Sequence, residues 1–161
     1  MSDPIPSLDA LDVRILEQLQ TDETLPVAEL AEQVGSSKTV VWRRIQRLQE
    51  LGVIRGRVAL LDHKKAGLPI MIFAHVKMTR HDRDVLPKFI EAVRALPQVI
   101  ECHTLMGSVD FLLKIVIASL EEYEHFVWQN LSQIDGVREI GSSISLSQSV
   151  YTARLPLRPS A

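Results

Sequence analysis

Residues 28–56 read AELAEQVGSSKTVVWRRIQRLQELGVIRG, and the fold of the first third of the chain turns on Gly35 near their middle. Val27, Leu30, Ala31 and Val34 recur at three- and four-residue spacing, the stripe of a short amphipathic helix. Gly35 stands where a helix end calls for positive φ. Ser36 and Ser37 follow as residues able to cap the next helix. Val41, Ile45, Leu48 and Leu51 are the inward stripe of that helix, and Gly52 ends it. Two short helices joined by a tight turn form a helix-turn-helix. Toward the amino end, Leu8, Leu11, Ile15, Leu16 and Leu19 make a preceding helix with Asp9 as N-cap, closed off by Thr24-Leu25-Pro26. Beyond Gly52 the apolar period drops to two, so Val53–Leu61 is expected to form a strand or small hairpin serving as a wing.

In such motifs the last helix enters the major groove, amino end first. With Val41 at the centre of the buried face, Thr39, Arg43, Gln46 and Glu50 lie opposite it. Trp42 and Arg47 flank that face, and Ser37 and Lys38 sit at its amino end. Arg43 and Gln46 are the residue types that pair with base edges. Lys38 and Arg47 suit phosphates, and Arg55 and Arg57 in the wing suit a neighbouring phosphate or the minor groove. Arg44 falls beside the apolar face, where it either pairs with a carboxylate of another helix or touches DNA. Trp42 either packs on a helix neighbour or lies against a sugar. Glu50 repels phosphate, so contact is expected to fade before it.

Charge distribution agrees. The chain of 161 residues carries a net charge of only −2. Six of its basic residues, however, fall between Ser36 and Arg57, against the single acid Glu50, while residues 1–35 hold eight acids and one base. A local cationic stretch of this kind is a phosphate-binding surface or a solvated helix face.

Asp62–Pro69 (DHKKAGLP) is a turn-rich connector. The expected organisation is therefore a winged helix-turn-helix at 1–61, a linker at 62–69 and a second domain at 70–161. The second domain reads strand (Ile70–Met78), helix (Val85, Phe89, Ile90, Val93, Leu96), strand (Val99–Met106), strand (Val109–Ile117), helix (Leu120, Tyr123, Phe126, Val127, Leu131) and long final strand or hairpin (Val137–Tyr151). The order βαββαβ is the ferredoxin-like α+β arrangement, with both helices on one face of an antiparallel sheet. Its uncovered face calls for a second copy, hence a homodimer. Arg154–Ala161, with two prolines, is expected to fray.

These stretches resemble the Lrp/AsnC family of transcriptional regulators. LDALDVRILEQLQTD (8–22) is similar to its first helix, and the segment quoted above to its helix-turn-helix and wing. GLPIMIFAHVKM (67–78), FIEAVRALPQVIECHTLMGSVDFLLKIVI (89–117) and LEEYEHFVWQNLSQIDGVREIGSSISL (120–146) are similar to its sensor domain. The resemblance runs from Leu8 to Leu157. Its most specific parts are the Arg44–Arg47 pair and the Gly107…Asp110-Phe111 hairpin. It implies a DNA-binding regulator that dimerises, assembles further to tetramers or octamers, and binds an amino acid at the interface of its sensor domains. A cytoplasmic setting is expected separately, from the single Cys102, which cannot form an internal disulfide.

A free amino acid needs N–H donors for its carboxylate and acceptors for its ammonium once both leave water. The expected effector residues are Leu105, Met106, Gly107, Ser108, Asp110, Ile140 and Ser142. Gly107 and Ser108 offer backbone groups, Asp110 accepts from the ammonium, and Ser142 donates or accepts. Leu105, Met106 and Ile140 make the wall apolar, favouring an aliphatic or sulfur-containing amino acid. In the family's last strand two Thr or Ser residues touch ligand; Ser142 matches one, and Ile140 replaces the other. The alternative is that Gly107 serves the turn alone and Asp110 bonds the hairpin's own backbone.

No cofactor, metal site or enzymatic activity is expected. The sequence contains no phosphate-binding glycine loop, its five histidines lack metal-ligand spacing, and Cys102 reads as a small core residue. No apolar run reaches membrane-spanning length, and the amino end does not read as a secretory signal. Two other readings use the same residues: an architectural protein that coats DNA with little sequence choice, and an enzyme subunit regulated through its βαββαβ domain.

Overall fold

The computed structural model describes residues 5–79 and 85–160; residues 1–4, 80–84 and 161, which the domain assignment above includes, lie outside them. By its contacts the chain divides into two compact units, Met1–Ala59 with Val150–Ala161, and Leu60–Ser149. That division departs from the sequence reading twice. The connector 62–69 belongs to the second unit, and the proline-containing tail returns to the first.

The first unit holds α1 (Ala10–Leu19), α2 (Val27–Gln33) and α3 (Lys38–Glu50). Asp9 caps α1 by accepting from the amides of Leu11 and Asp12, while the Asp12 carboxylate reaches back to the Asp9 amide, a reciprocal capping box. Gly35, at φ 65°, ends α2. The Ser36 amide donates to Ala31 O and the Gly35 amide to Glu32 O, the Schellman pattern that only a left-handed residue permits without strain. Ser37 caps α3 through the Val40 amide. Ile15, Leu30, Ala31, Val34, Val41 and Ile45 form the core, with Leu11, Leu19, Val27 and Ile54 against it. Leu51, expected inside, is 45% exposed because the helix stops there and the residue serves as its C-cap.

The wing is a further departure. Among the described residues, 53–61 form no strand. Alternation predicts extended backbone, but a strand also needs a neighbour for its amides and carbonyls. Among the described residues no strand pairs with this segment, and Val58, Leu60 and Leu61 lie exposed.

The second unit is β1 (Ile70–Met78), α4 (Val85–Arg94), β2 (Val99–Thr104), β3 (Phe111–Ile117), α5 (Leu120–Gln129), a 3₁₀ turn (Leu131–Gln133) and β4 (Val137–Ile144). The sheet order is β2-β3-β1-β4 with every neighbouring pair antiparallel, as the βαββαβ reading requires. The final strand ends at Ile144 rather than continuing to Tyr151, and β2 and β3 stop short of Met106 and Val109.

Alternation along the strands sorts the two faces. Ile72, Ala74, Val76 and Met78 of β1 and Phe111, Leu113, Ile115 and Ile117 of β3 meet Phe89 and Val93 of α4, Tyr123 and Phe126 of α5, and Leu131. The Phe89 and Phe111 rings stack with centroids 4.4 Å apart. The opposite face carries Phe73, His75, Leu112 and Lys114 together with ion pairs. Lys77 Nζ lies 3.0 Å from Glu139, and Glu101 accepts from Lys114 Nζ at 2.7 Å beside His103 Nε2 at 3.1 Å. Cys102 pairs with Leu113 on the helix-covered face, but β2 is an edge strand and leaves it exposed.

Candidate nucleic-acid interface

The face of α3 opposite Val41 presents the residues that the helical wheel assigns to it. Ser37, Lys38, Thr39, Trp42 and Arg43 are exposed and Gln46 is half-buried. Trp42 is 54% exposed, so the indole is available at the surface rather than packed under a neighbouring helix. Lys38, Arg43 and Arg55 have no carboxylate within 4.0 Å among the described residues. Arg57 stands 4.0 Å from Glu23, at the margin of an ion pair between half-exposed groups.

Two arginines of α3 are held differently. Arg44 Nη1 donates to Asp9 and, at 3.1 Å, to Asp12. Arg47 Nη1 donates to the other Asp12 oxygen at 3.1 Å, and its Nη2 to the Ser7 carbonyl at 3.3 Å. Asp12 is 1% exposed, the only buried charged residue among those described. A buried carboxylate needs compensating partners, and here two guanidiniums and the Asp9 amide supply them. The Asp9 carboxyl is held below the usual carboxylate range, first by the Asp12 amide and then by Arg44, and Arg44 is raised in turn by Asp9.

Arg47, expected at phosphate, also has partners within the chain and remains 43% exposed. The wheel places its Cα toward solvent, but the long side chain folds back across α1 and closes on Asp12. Arg44 takes the first of its two alternatives, a carboxylate on a neighbouring helix. The residues that sequence reasoning missed are Ser7 and Asp12. A signal was present: Asp9 and Asp12 are three apart on one helix, as are Arg44 and Arg47 on another, so each pair shares a face. With Arg43 these side chains line a depression of about 490 Å³.

In the second unit the expected effector residues are only partly gathered. Asp110 and Ile140 both lie at the end of β1. The Asp110 amide donates to Val76 O at 2.9 Å, and Val76 is the register partner of Ile140. The Asp110 carboxylate accepts from the Met78 amide at 2.7 Å, so it ties the β2–β3 connection to β1, a backbone partner that lies outside the hairpin itself. Ile140 packs against the core. Ser142, opposite Ala74, turns toward α5, where its Oγ lies 2.7 Å from the Tyr123 hydroxyl. Leu105 and Met106 are exposed, Met106 completely, and Gly107 and Ser108 stand in the same open loop. The pockets described in this unit are lined by other residues.

Among the described residues no cluster of His, Cys, Asp or Glu is arranged to hold a metal. No described helix is long and apolar enough to cross a membrane.

Comparison with known proteins agrees with this geometry. Residues 8–49 match the model of the AsnC-type helix-turn-helix domain and residues 71–155 that of the Lrp/AsnC ligand binding domain. The glutamate uptake regulatory protein of Zymomonas mobilis is 38% identical over 95% of this chain and 93% of its own length. The crystal structure of an AsnC family transcriptional regulator from Agrobacterium tumefaciens superposes with a TM-score of 0.87 at 40% identity, covering 92% of this chain and 97% of that one. A transcriptional regulator of Neisseria meningitidis, solved as a complex with L-Met, also gives a TM-score of 0.87, at 33% identity over 93% and 97% of the two chains. With an α3 face of exposed cations on a helix-turn-helix and a βαββαβ unit behind it in sequence, the chain belongs to the Lrp/AsnC family of DNA-binding transcriptional regulators, and not to the enzymes.

Proposed function

We propose that Ser37, Lys38, Thr39, Trp42, Arg43 and Gln46 form the surface that reads an operator, with Arg55 and Arg57 reaching its backbone or minor groove from the adjoining segment. The carrying observation is the division of labour among the cations of α3. Asp9 and Asp12 neutralise Arg44 and Arg47, whereas Lys38 and Arg43 stand exposed on the groove-facing side. Arg43 and Gln46 read base edges, at about 1–3 kcal/mol of discrimination for each good bidentate pair. Lys38 at the amino end of α3 meets phosphate beside the helix dipole.

The same reading makes the protein an amino acid-responsive regulator working in the cytoplasm. The L-Met bound by the Neisseria relative fits the aliphatic or sulfur-containing class favoured by Leu105, Met106 and Ile140. The open Leu105–Ser108 loop supports a site completed by a second copy of the chain, in a homodimer or in a tetramer or octamer built from dimers.

Two measurements test this. In binding titrations against a duplex selected from a random-sequence pool, Arg43→Ala relaxes base preference at one position. Lys38→Ala weakens all sequences alike and lowers the slope of log K against log salt by about 1. Parental behaviour from both variants removes α3 from the groove. A thermal-shift screen of the amino acids, read alongside sedimentation, identifies an effector by a rise in melting temperature that grows with ligand concentration.

A further inference from the structure

The chain returns from the second unit to the helix-turn-helix and holds it at two points. Leu155 and Gln20 exchange two hydrogen bonds: the Leu155 amide donates to Gln20 Oε1 at 2.6 Å, and Gln20 Nε2 donates to the Leu155 carbonyl at 3.4 Å. Leu8 and Ser160 exchange two more. The Ser160 amide donates to the Leu8 carbonyl at 2.8 Å, and the Leu8 amide to Ser160 Oγ at 2.9 Å. Gln20 is the C-cap of α1, and Leu8 immediately precedes its N-cap Asp9.

The lengths match. From Leu8 to Gln20 a helix rises about 18 Å at 1.5 Å per residue. Five extended steps from Leu155 to Ser160 cover about 17 Å. The segment therefore runs antiparallel to α1 along its whole length, fixed at both ends. Pro156 and Pro159 lie within it, where fixed φ lowers the entropy lost on ordering and no amide is left without an acceptor. Leu157 is half-buried.

α1 is also the helix whose first turn carries the brace. Asp9 and Asp12 hold Arg44 and Arg47, and so hold α3. We propose that Leu155–Ser160 is a strap that fixes α1 and, through Asp9 and Asp12, sets the attitude of α3 for DNA. None of its bonds uses the groove-facing side chains, so it is a positioning element and not a DNA contact. The chain passes between the units twice, at 59/60 and at 149/150. The second passage runs from β4 of the sensor unit into the strap, which gives that unit a second covalent connection to the N-terminal unit, ending at α1, besides the linker.

The test uses the full chain, a chain ending at Arg154, and the point variants Gln20→Ala, Ser160→Ala and Ser160→Thr, each titrated against one selected duplex over a salt series. Loss of four solvent-accessible hydrogen bonds, each with a modest net contribution, weakens DNA binding about tenfold in the shortened chain, and Gln20→Ala weakens it about threefold. Ser160→Ala weakens it while Ser160→Thr, which keeps the hydroxyl acceptor, restores it. The salt slope stays parental throughout, because no phosphate contact is lost. Amide exchange quickens at Leu8 but remains slow in the interiors of α1 to α3, which separates loss of positioning from loss of fold. The proposal is overturned if the shortened chain binds as the parent does. A salt slope reduced by about 1 also overturns it, since Arg158 then touches phosphate. So does exchange that quickens throughout α1 to α3, because the segment is then simply part of the domain's stability.

Discussion

Replacing Asp12 with asparagine tests the brace between α1 and α3. Asp12 is 1% exposed, and its oxygens take Arg44 Nη1 and Arg47 Nη1 at 3.1 Å each. The amide keeps the shape and can still accept from the Asp9 N–H. It removes the charge facing two guanidiniums and turns an NH₂ group toward one of them. Breaking a fully buried pair from one side costs about 3–5 kcal/mol. The arginine side chains are 30% and 43% exposed, so water recovers part of their solvation and the cost falls to about 2–3 kcal/mol. In a domain of this size each kcal/mol moves the melting temperature by about 4–8 °C, so the N-terminal unit is expected to melt roughly 10–20 °C lower. Trp42 and Trp128 are the two tryptophans of the chain. A Trp128→Phe background therefore lets fluorescence report the N-terminal unit alone. Asp9→Ala is the internal comparison. Its side chain is 51% exposed, and losing a cap and a half-solvated pair costs only about 1–2 kcal/mol. A melting point within about 3 °C of the parent, well under one kcal/mol for such a domain, would refute the brace. Greater damage from Asp9→Ala than from Asp12→Asn would refute it too.

Three further outcomes follow from the second unit. Gly136 has φ 84°, and a Cβ there would sit 2.6 Å from Val85 Cγ1 and 3.2 Å from Met78 Cε. Gly136→Ala is accordingly expected to destabilise that unit by about 2–4 kcal/mol, read by denaturant titration of Trp128 fluorescence. The Glu101 carboxyl is held below its usual range, first by Lys114 and then by His103. Its folded pKa being depressed, the stabilisation is complete above the ordinary glutamate value of about 4.3 and disappears as pH falls through the depressed one. The gap in melting temperature between the parent and Glu101→Gln should therefore close on acidification through that window, and a gap that persists at the acid end shows that the charge is not its source. Tyr123 is 9% exposed, and its hydroxyl meets Ser142 Oγ at 2.7 Å. A double-mutant cycle of Tyr123→Phe and Ser142→Ala should give a coupling of about 0.5–1.5 kcal/mol, and zero coupling dismisses the bond.

Local chemistry carried the parts of the fold that were legible beforehand. Asp9 and Gly35 announce helix ends through hydrogen bonds to residues at most four away, and both stand where expected. The β-branched, apolar run of β1 and the Gly107-Ser108 turn signal before β3 pointed to the sheet, and its register is held because one face is buried and cannot slip without being exposed. What escaped was nonlocal. The alternation of Val53–Leu61 promised extended backbone but said nothing about a partner strand within one chain. Pro156 and Pro159 made the tail look unable to join anything. Its contacts go to Leu8 and Gln20, more than 130 residues away, and no periodicity reports such a partner. Arg47 was placed by the angle of its Cα, whereas a side chain of that length chooses among partners over several ångströms. Of the seven effector residues, Asp110 and Ser142 were recognised as polar groups worth a partner. Which partner they take, Met78 and Tyr123, depends on how the strands and α5 come together.

Because Leu155–Ser160 belongs to the unit formed by residues 1–59, the two halves of this regulator are not interchangeable cassettes. A fragment cut at the linker carries α1 without its companion segment and will underreport the affinity of the intact reader. A chimera that grafts a foreign sensor after residue 59 also imports a foreign tail, to be docked on an α1 it was never matched to. Productive exchange of sensors between relatives needs two splice points, with the tail kept alongside its own first helix.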